Sequence, residues 1–309
     1  MKGIIKSIKS IFIDQSVNSK LFELEYNIEK SKLLIGKSLT NQVIEKADQC
    51  VANIHCAEFS VFSQWGDDGI IQFLTYYLGL KNGTFMEFGV ENYTESNTRF
   101  LLMNNNWKGL VIDGSETNIH QIKNSYYFWK YDLTALTHFV TCENINRIIT
   151  ENGFANDIDL LHIDIDGNDY WIWESINTID PTIVIVEYNS VFGIENPASI
   201  PYEPNFQRKV AHYSNLYFGC SISALIHLAA TKGYIFIGTN SNGNNAYFVK
   251  ESKAKNLKQI SAQEGAVMAR FRESRNQSGE LTYLDQKAGL ACIKGLPIQN
   301  VVDQSISKL

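Results

Sequence analysis

The sequence predicts an α/β protein built on a doubly wound, mostly parallel sheet that ends in one reversed strand and is preceded by a helical extension. Three observations carry this prediction. From about residue 59, short and strongly apolar runs alternate with helical stretches, the pattern of a sheet buried on both faces. Several of those runs end in an acid or a glycine, as strands do when their carboxyl ends open onto a ligand crevice. Two late strands flank an Asn-Gly turn, so a hairpin closes the sheet and one of its strands runs against the others.

Taken in order, MKGIIKSIKSIFIDQ sets Ile4, Ile5, Ile8, Ile11 and Phe12 on one helical face and Lys2, Lys6 and Lys9 on the other. Such a basic amphipathic helix suits an anionic membrane surface, a partner subunit or the protein's own domain equally well. The helical pattern continues from residue 20 to about 49 through Leu21, Leu24, Ile28 and Leu34, and residues 1–58 form an N-terminal extension. Asp67 and Asp68 are placed to cap a helix running to Leu78, where Gly79 stops it. Strands are expected at Thr84–Phe88, Gly109–Ile112, His138–Thr141, Leu160–Ile165 and Ile183–Glu187. Residues 190–214 hold three of the five prolines and read as a long loop at the carboxyl edge. A helix over Ser221–Thr231 leads to strands at Gly233–Ile237 and Ala246–Val249, joined by the turn Asn240–Asn245. Residues 251–309 form a mixed extension whose densest charge cluster is FRESR, Phe271 to Arg275.

Composition narrows the function. With 44% hydrophobic and 12% aromatic residues over 309 positions, the chain can bury a sizeable core and is not disordered. Its 27 Lys and Arg against 33 Asp and Glu leave a formal charge of −6, which argues against binding nucleic acid through its phosphates. No apolar run reaches the length of a membrane span, and lysines interrupt the first 13 residues where a secretory signal would need an unbroken apolar core. The five cysteines lack paired CxxC spacing, so buried free thiols in a reduced, cytoplasmic setting are expected.

The strand ends carry the chemistry. FMEFGVENYTESNT offers Glu87 and Gly89: the acid accepts hydrogen bonds, and the glycine either lets the backbone approach a ligand or makes a tight turn. Val111-Ile112-Asp113-Gly114-Ser115 ends in an acid 24 residues beyond Gly89, close to the spacing at which an acid meets ribose hydroxyls in dinucleotide folds. Neither the G-x-G-x-x-G fingerprint nor a P-loop is present, and Glu87 and Glu91 would repel a pyrophosphate. The expected ligand is therefore an adenosine without phosphates, and a nicotinamide oxidoreductase is disfavoured. LLHIDIDGNDYW sets Asp164 and Asp166 on one side of an extended chain, and the next strand ends in Glu187-Tyr188-Asn189. Asp164, Asp166, Glu187 and Asn189 are thus candidate ligands of Mg²⁺ or another divalent cation, or a general base and its support. Asp169 reads as a helix cap as readily as a site residue. His212, in the proline-rich loop, is a second candidate base, whereas His162, inside a strand, reads as a core histidine.

The succession SQWGDDGI, FMEFGVENYTESNTRFLL, NNWKGLVIDGS, FVTCENIN, LLHIDIDGNDYWIWESI, IVIVEYNS, YFGCSISAL and KGYIFIGTNSNGNNAYFV resembles the FkbM-like S-adenosylmethionine-dependent methyltransferases of class I over roughly residues 59–250. The resemblance implies a Rossmann-like sheet of seven strands with the last reversed. It implies that Glu87, Gly89 and Asn97 belong to the first cofactor motif, Asp113, Gly114 and Ser115 to the ribose side, Thr141 and Glu143 to the adenine side, and Asp164 to the methionine side. Where the family has a second glycine, this chain has Glu91, Asn92 and Tyr93. The implied reaction is O-methylation of a sugar hydroxyl, free or nucleotide-linked, in surface polysaccharide or glycan biosynthesis, with Asp166 or His212 taking the proton. Trp65, Trp171 and Tyr188 are candidate stacking faces, and Arg270, Arg272 and Arg275 candidate phosphate partners. A homo-oligomer or a peripheral membrane contact would use the N-terminal helix. The alternative is a degenerate methyltransferase fold kept as a binding module.

Overall fold

The computed structural model describes residues 2–155, 158–270 and 273–309, with side chains described from residue 17. Five parallel strands, β1 (Thr84–Phe88), β2 (Lys108–Asp113), β3 (Leu133–Thr137), β4 (Leu160–Ile163) and β5 (Ile183–Glu187), are followed by the short β6 (Ala198–Ser199). The hairpin strands are β7 (Tyr234–Thr239) and β8 (Asn245–Lys250), and β9 (Pro297–Asn300) and β10 (Ile306–Lys308) close the chain. The main sheet has seven strands in the order β3-β2-β1-β4-β5-β8-β7, with β8 antiparallel to both of its neighbours. This is the methyltransferase-type Rossmann-like sheet with its reversed strand. Strand order reverses direction at β1, which lies between β2 and β4, so the crevice at their carboxyl ends is the place for a ligand.

Alternation along each strand explains why the sheet is covered twice. Phe85, Val111, Leu160, Ile183 and Ile185 enter one core, while Met86, Phe88, Leu110, Ile112, Leu161, Ile163, Val184 and Val186 enter the other. Helices α1 (Lys2–Glu45), α2 (Ala47–Ala52), α3 (Asp67–Leu78), α4 (Arg99–Asn105) and α5 (Glu116–Lys123) occur in the first half of the chain. They are followed by α6 (Ile145–Glu151), α7 (Asp169–Ser175), α8 (Arg208–Ala211), α9 (Ile222–Lys232), α10 (Ala262–Gly265) and α11 (Gln286–Cys292). Within the C-terminal extension, β9 pairs with β6 and β10, and Ile293 packs with Ile200, Leu216 and Tyr217 of the proline-rich segment.

Several expectations are corrected. The N-terminal pattern is one 44-residue helix, and Leu21, Leu24, Ile28 and Leu34 point to solvent; the face that packs on the domain is a different one. The side chains of Lys2 to Phe12 lie outside the described residues. β3 ends at Thr137 because its register against β2 pairs Asp113 with Thr137, so His138–Thr141 is the loop beyond the strand. Helix α3 has the predicted bounds, with Gly79 at φ 79°, but neither aspartate caps it. Asp68 accepts backbone N–H groups of Val61, Phe62 and Ser63 at 2.7–2.8 Å, and Asp67 accepts from Asn240, Asn245 and Tyr247, tying α3 to the hairpin. The five cysteines are free, yet Cys56 is exposed and two others are partly so. No helix among the described residues is long and apolar enough to cross a membrane.

Candidate active site

A cavity of about 480 Å³ opens over the carboxyl ends of β1, β2 and β4, within the range that takes a small-molecule ligand. Its carboxyl groups outnumber its basic ones, so it favours a cationic guest.

Glu87, the last but one residue of β1, is 3% exposed and works as a hub. It accepts from Ser96 Oγ at 2.5 Å, the Asn97 backbone N–H at 2.9 Å, the Thr98 backbone and hydroxyl, and His162 Nδ1 at 3.0 Å. Burial alone would raise its pKa, but the hydrogen bond and charge of His162 outweigh that and hold it low. Burial in turn opposes protonation of His162, and Glu87 overcomes it, so the imidazole is pushed above its usual range. The two form a buried ion pair. The Asn97 side-chain amide lies 3.2 Å from His162 Nε2, and an imidazolium requires it to present its oxygen there. The Glu87 oxygens are thus engaged in holding the 96–98 loop at the cavity wall, and His162, expected to be a plain core residue, is part of that wall.

Gly89 stands at φ 79°, and a Cβ on it would fall 1.6 Å from the Asp164 carbonyl oxygen. What requires glycine here is the neighbouring strand's backbone rather than a ligand. The turn after Gly89 has left-handed backbone without a second glycine, with Glu91 at φ 47° and Tyr93 at φ 63°, each costing about 1–2 kcal/mol. Tyr93 is fully buried and its hydroxyl meets Thr98 Oγ1 at 2.9 Å, which holds the strained turn in place. The Glu91 N–H donates to Asp113 Oδ2 at 2.8 Å, joining the first two strand ends.

Asp113 also accepts Ser115 N–H at 2.8 Å and Asn118 Nδ2 at 3.1 Å, both on Oδ1. Oδ2 therefore keeps acceptor capacity toward the cavity. Gly114 lines the cavity, and Ser115 serves as the N-cap of α5. Beyond β3 the lining residues are His138, Phe139 and Val140. Thr141 and Glu143 do not line it: the Thr141 N–H bonds Asn144 and Glu143 accepts from Tyr202 at 2.7 Å. The displacement follows from the earlier end of β3.

Beyond β4, Asp164, Asp166 and Glu187 bring carboxylate oxygens within 4.8 Å of one another. Burial, then the neighbouring Asp166, pushes Asp164 up to about 7, with the Glu187 side chain as a hydrogen-bond partner that draws it back in part. Burial, then Asp164, drives Glu187 well above the usual carboxylate range, and its Oε2 is buried without a hydrogen-bond partner. Asp166 stands at φ 56° and receives Arg208 Nη1 at 2.5 Å. Arg208 also lies 3.6 Å from Glu273 and 3.8 Å over the Phe218 ring. Asp169 closes the turn by accepting Ile165 N–H at 2.8 Å and Gly167 N–H at 2.9 Å rather than capping the helix, whose N-cap is Asn168.

Two sequence candidates fall away from the cavity. Asn189 donates its amide N–H groups to the carbonyls of Leu216 and Phe218 at 2.9 and 3.0 Å and accepts Val191 N–H, and it lines the neighbouring cavity rather than this one. His212 follows α8 and bonds Ser214 Oγ at 2.7 Å, outside the residues that line the site. Trp171 is buried with its Nε1 on the Ile200 carbonyl, Trp65 does not line the cavity, and Tyr188 bonds the Val267 carbonyl. Arg272 lies outside the described residues, and Arg275 lies 3.7 Å from Glu273. Sequence reasoning missed Arg208, although so many convergent acids required a cation among them.

A second cavity, of about 400 Å³, adjoins the first and shares Glu187, Arg208, Asn244 and Glu273 with it. Arg270 and Asn189 are among its other lining residues.

Among solved structures, the chain is similar to an S-adenosylmethionine-dependent methyltransferase from Clostridium acetobutylicum, at 10% identity and TM-score 0.40 over 59% of this chain and 89% of that one. It is similar to the O-methyltransferase from Bacillus cereus in complex with SAH, at 15% identity and TM-score 0.38 over 69% and 91%. The DszA carbon methyltransferase is matched at 13% identity and TM-score 0.38, over 60% of this chain and 53% of that one. No family model and no curated protein matches. These are likenesses of architecture, at identities too low to transfer a reaction.

Proposed function

We propose that the protein is an S-adenosylmethionine-dependent O-methyltransferase of the FkbM-like kind, acting on a hydroxyl of a sugar or glycan, free or nucleotide-linked. The observation that carries this reading is the convergence of Asp113, Asp164 and Glu187 from three strand ends on one acid-lined cavity at the point where strand order reverses. The cavity suits the cofactor's chemistry: Asp113 Oδ2 has capacity for a ribose hydroxyl, Phe139 offers an apolar wall for adenine, and the acids beyond β4 favour its ammonium and sulfonium charges.

When bound, the sulfonium supplies an activated methyl group, so the protein's part is chiefly positioning. The acceptor enters from the second cavity, and Glu187, lining both, stands where its hydroxyl arrives. Asp164, raised to about 7 beside Glu187, takes the hydroxyl proton. Asp166 is held by Arg208 and His212 lies elsewhere, so neither of the bases first expected fills that role. Arg208 fixes Asp166 and offsets the accumulated negative charge.

A second reading of the three clustered carboxylates is a Mg²⁺ site. The guanidinium already on Asp166 favours the metal-free form. Transfer of labelled methyl groups from S-adenosylmethionine to hydroxyl-rich acceptors tests both. The proposal expects methyl ether formation that survives EDTA within about twofold, whereas loss restored by Mg²⁺ selects the metal form. Transfer to no hydroxyl acceptor favours the binding-module alternative.

A further inference from the structure

Helix α1 carries two apolar faces, and the protein's own domain covers one of them. Along the covered face, Tyr26, Glu29, Leu33, Gly36, Thr40 and Val43 turn inward. Glu29 pairs with Arg99 at 2.7 Å and accepts from Tyr126, and a Cβ on Gly36 would lie 2.6 Å from Val61. The second face is a stripe of Val17, Leu21, Leu24, Ile28 and Ile35, 48–61% exposed. From Leu21 the stripe recurs at intervals of three, four and seven residues, the a and d spacing of two heptads, with Val17 one d position earlier.

In that heptad Leu21, Ile28 and Ile35 take the a positions, Val17 and Leu24 the d positions, and Ser31 the remaining d. The inward residues all fall at b or f, on the side of the helix away from the seam. The a and d residues of the seam therefore face away from the domain that holds α1. Lys20 falls at g and Glu25 at the following e, both exposed and neither in an ion pair among the described residues. In a parallel, in-register pair, g faces the next e of the other helix, so Lys20 of each copy meets Glu25 of the other. An antiparallel pair would set g against g and e against e, lysine against lysine.

We propose that Val17–Ile35 joins the same segment of a second copy of this chain in a parallel two-stranded coiled coil. The second copy is argued from a charge pattern complementary to itself, Lys20 at g against Glu25 at e, beside an exposed stripe with heptad spacing. Each helix is already ordered along its C-terminal half by its domain, so association does not bear the cost of nucleating it. The two domains then face outward on opposite sides of the seam, with their cavities independent of it.

Light scattering on the full-length chain tests this. At about 100 µM the expected species is a dimer, and Leu24→Glu with Ile28→Glu yields a monomer with unchanged circular dichroism and melting. Lys20→Glu weakens the dimer about tenfold, and adding Glu25→Lys restores it, a rescue that simple loss of folding cannot produce. Leu24→Cys in a Cys56→Ser background oxidises to a covalent dimer. A wild-type monomer at that concentration, or a dimer indifferent to the seam substitutions, overturns the proposal. So does a monomer that instead sediments with vesicles of anionic phospholipid, which would give the helix to a membrane surface.

Discussion

Replacing Asp164 with asparagine lowers kcat for methyl transfer by about 10²- to 10⁴-fold, the usual contribution of a positioned general base. The argument rests on its place beside Glu187, where burial and then the charge of Asp166 lift Asp164 to about 7, and burial and then Asp164 drive Glu187 well above the usual carboxylate range. A base acts when deprotonated, so wild-type kcat rises with pH through about 7 and then levels, and the variant lacks that limb. Stability carries the opposite sign. Between the ordinary 3.8 and about 7 the native state holds a proton that the unfolded chain has lost, so wild-type stability falls as pH rises, and the asparagine variant gains relative to it. A variant that keeps its turnover within about threefold removes Asp164 from the chemistry. One in which KM for the cofactor rises while kcat holds assigns Asp164 to binding alone.

Glu87→Gln destabilises the fold by about 3–5 kcal/mol, the range found when one partner of a buried ion pair is removed. Glutamine preserves volume, but it turns an amide donor toward the donors of Ser96, Asn97 and Thr98 and leaves His162 without its counter-charge. Stability from the low Glu87 pKa is present above the ordinary 4.5 and is lost as pH falls through its folded value. Stability from the raised His162 pKa is present below 6.5 and is lost as pH rises through its folded value. The gap between wild type and variant is therefore widest from about pH 4.5 to 6.5 and narrows on either side. Denaturant midpoints across that range measure it, and a gap independent of pH would deny the ion pair.

Much of this was legible in the residues. β5 has the predicted bounds because a strand buried on both faces is a continuous apolar run whose end is marked by the first acid, and β1 keeps its predicted bounds with Glu87 one residue before its end. β3 was misplaced because it lies at the sheet edge, where the run is weaker and register against β2 sets its limits. Asp113, Asp164 and Glu187 were readable as strand-end acids. Thr141 and Glu143 missed the cavity because their position depended on the end of β3. His212 and Asn189 could not be judged locally: one faces Ser214 and the other spends its amide on a loop 27 residues away. Arg208 had no motif of its own, and its meaning comes from acids that the chain places 42 residues earlier. Along α1, apolar spacing alone could not say which of two faces would be covered.

Titration calorimetry of the intact protein with S-adenosylmethionine and S-adenosylhomocysteine tests the central claim most directly. The predicted result is one site per chain for each, weakened about 10- to 150-fold by Asp113→Ala, the loss of charge-assisted hydrogen bonds worth about 1.5–3 kcal/mol, with the fold intact and no binding of NADH. Absence of binding for both cofactor forms, or binding that Asp113→Ala leaves untouched, would contradict the assignment of this cavity.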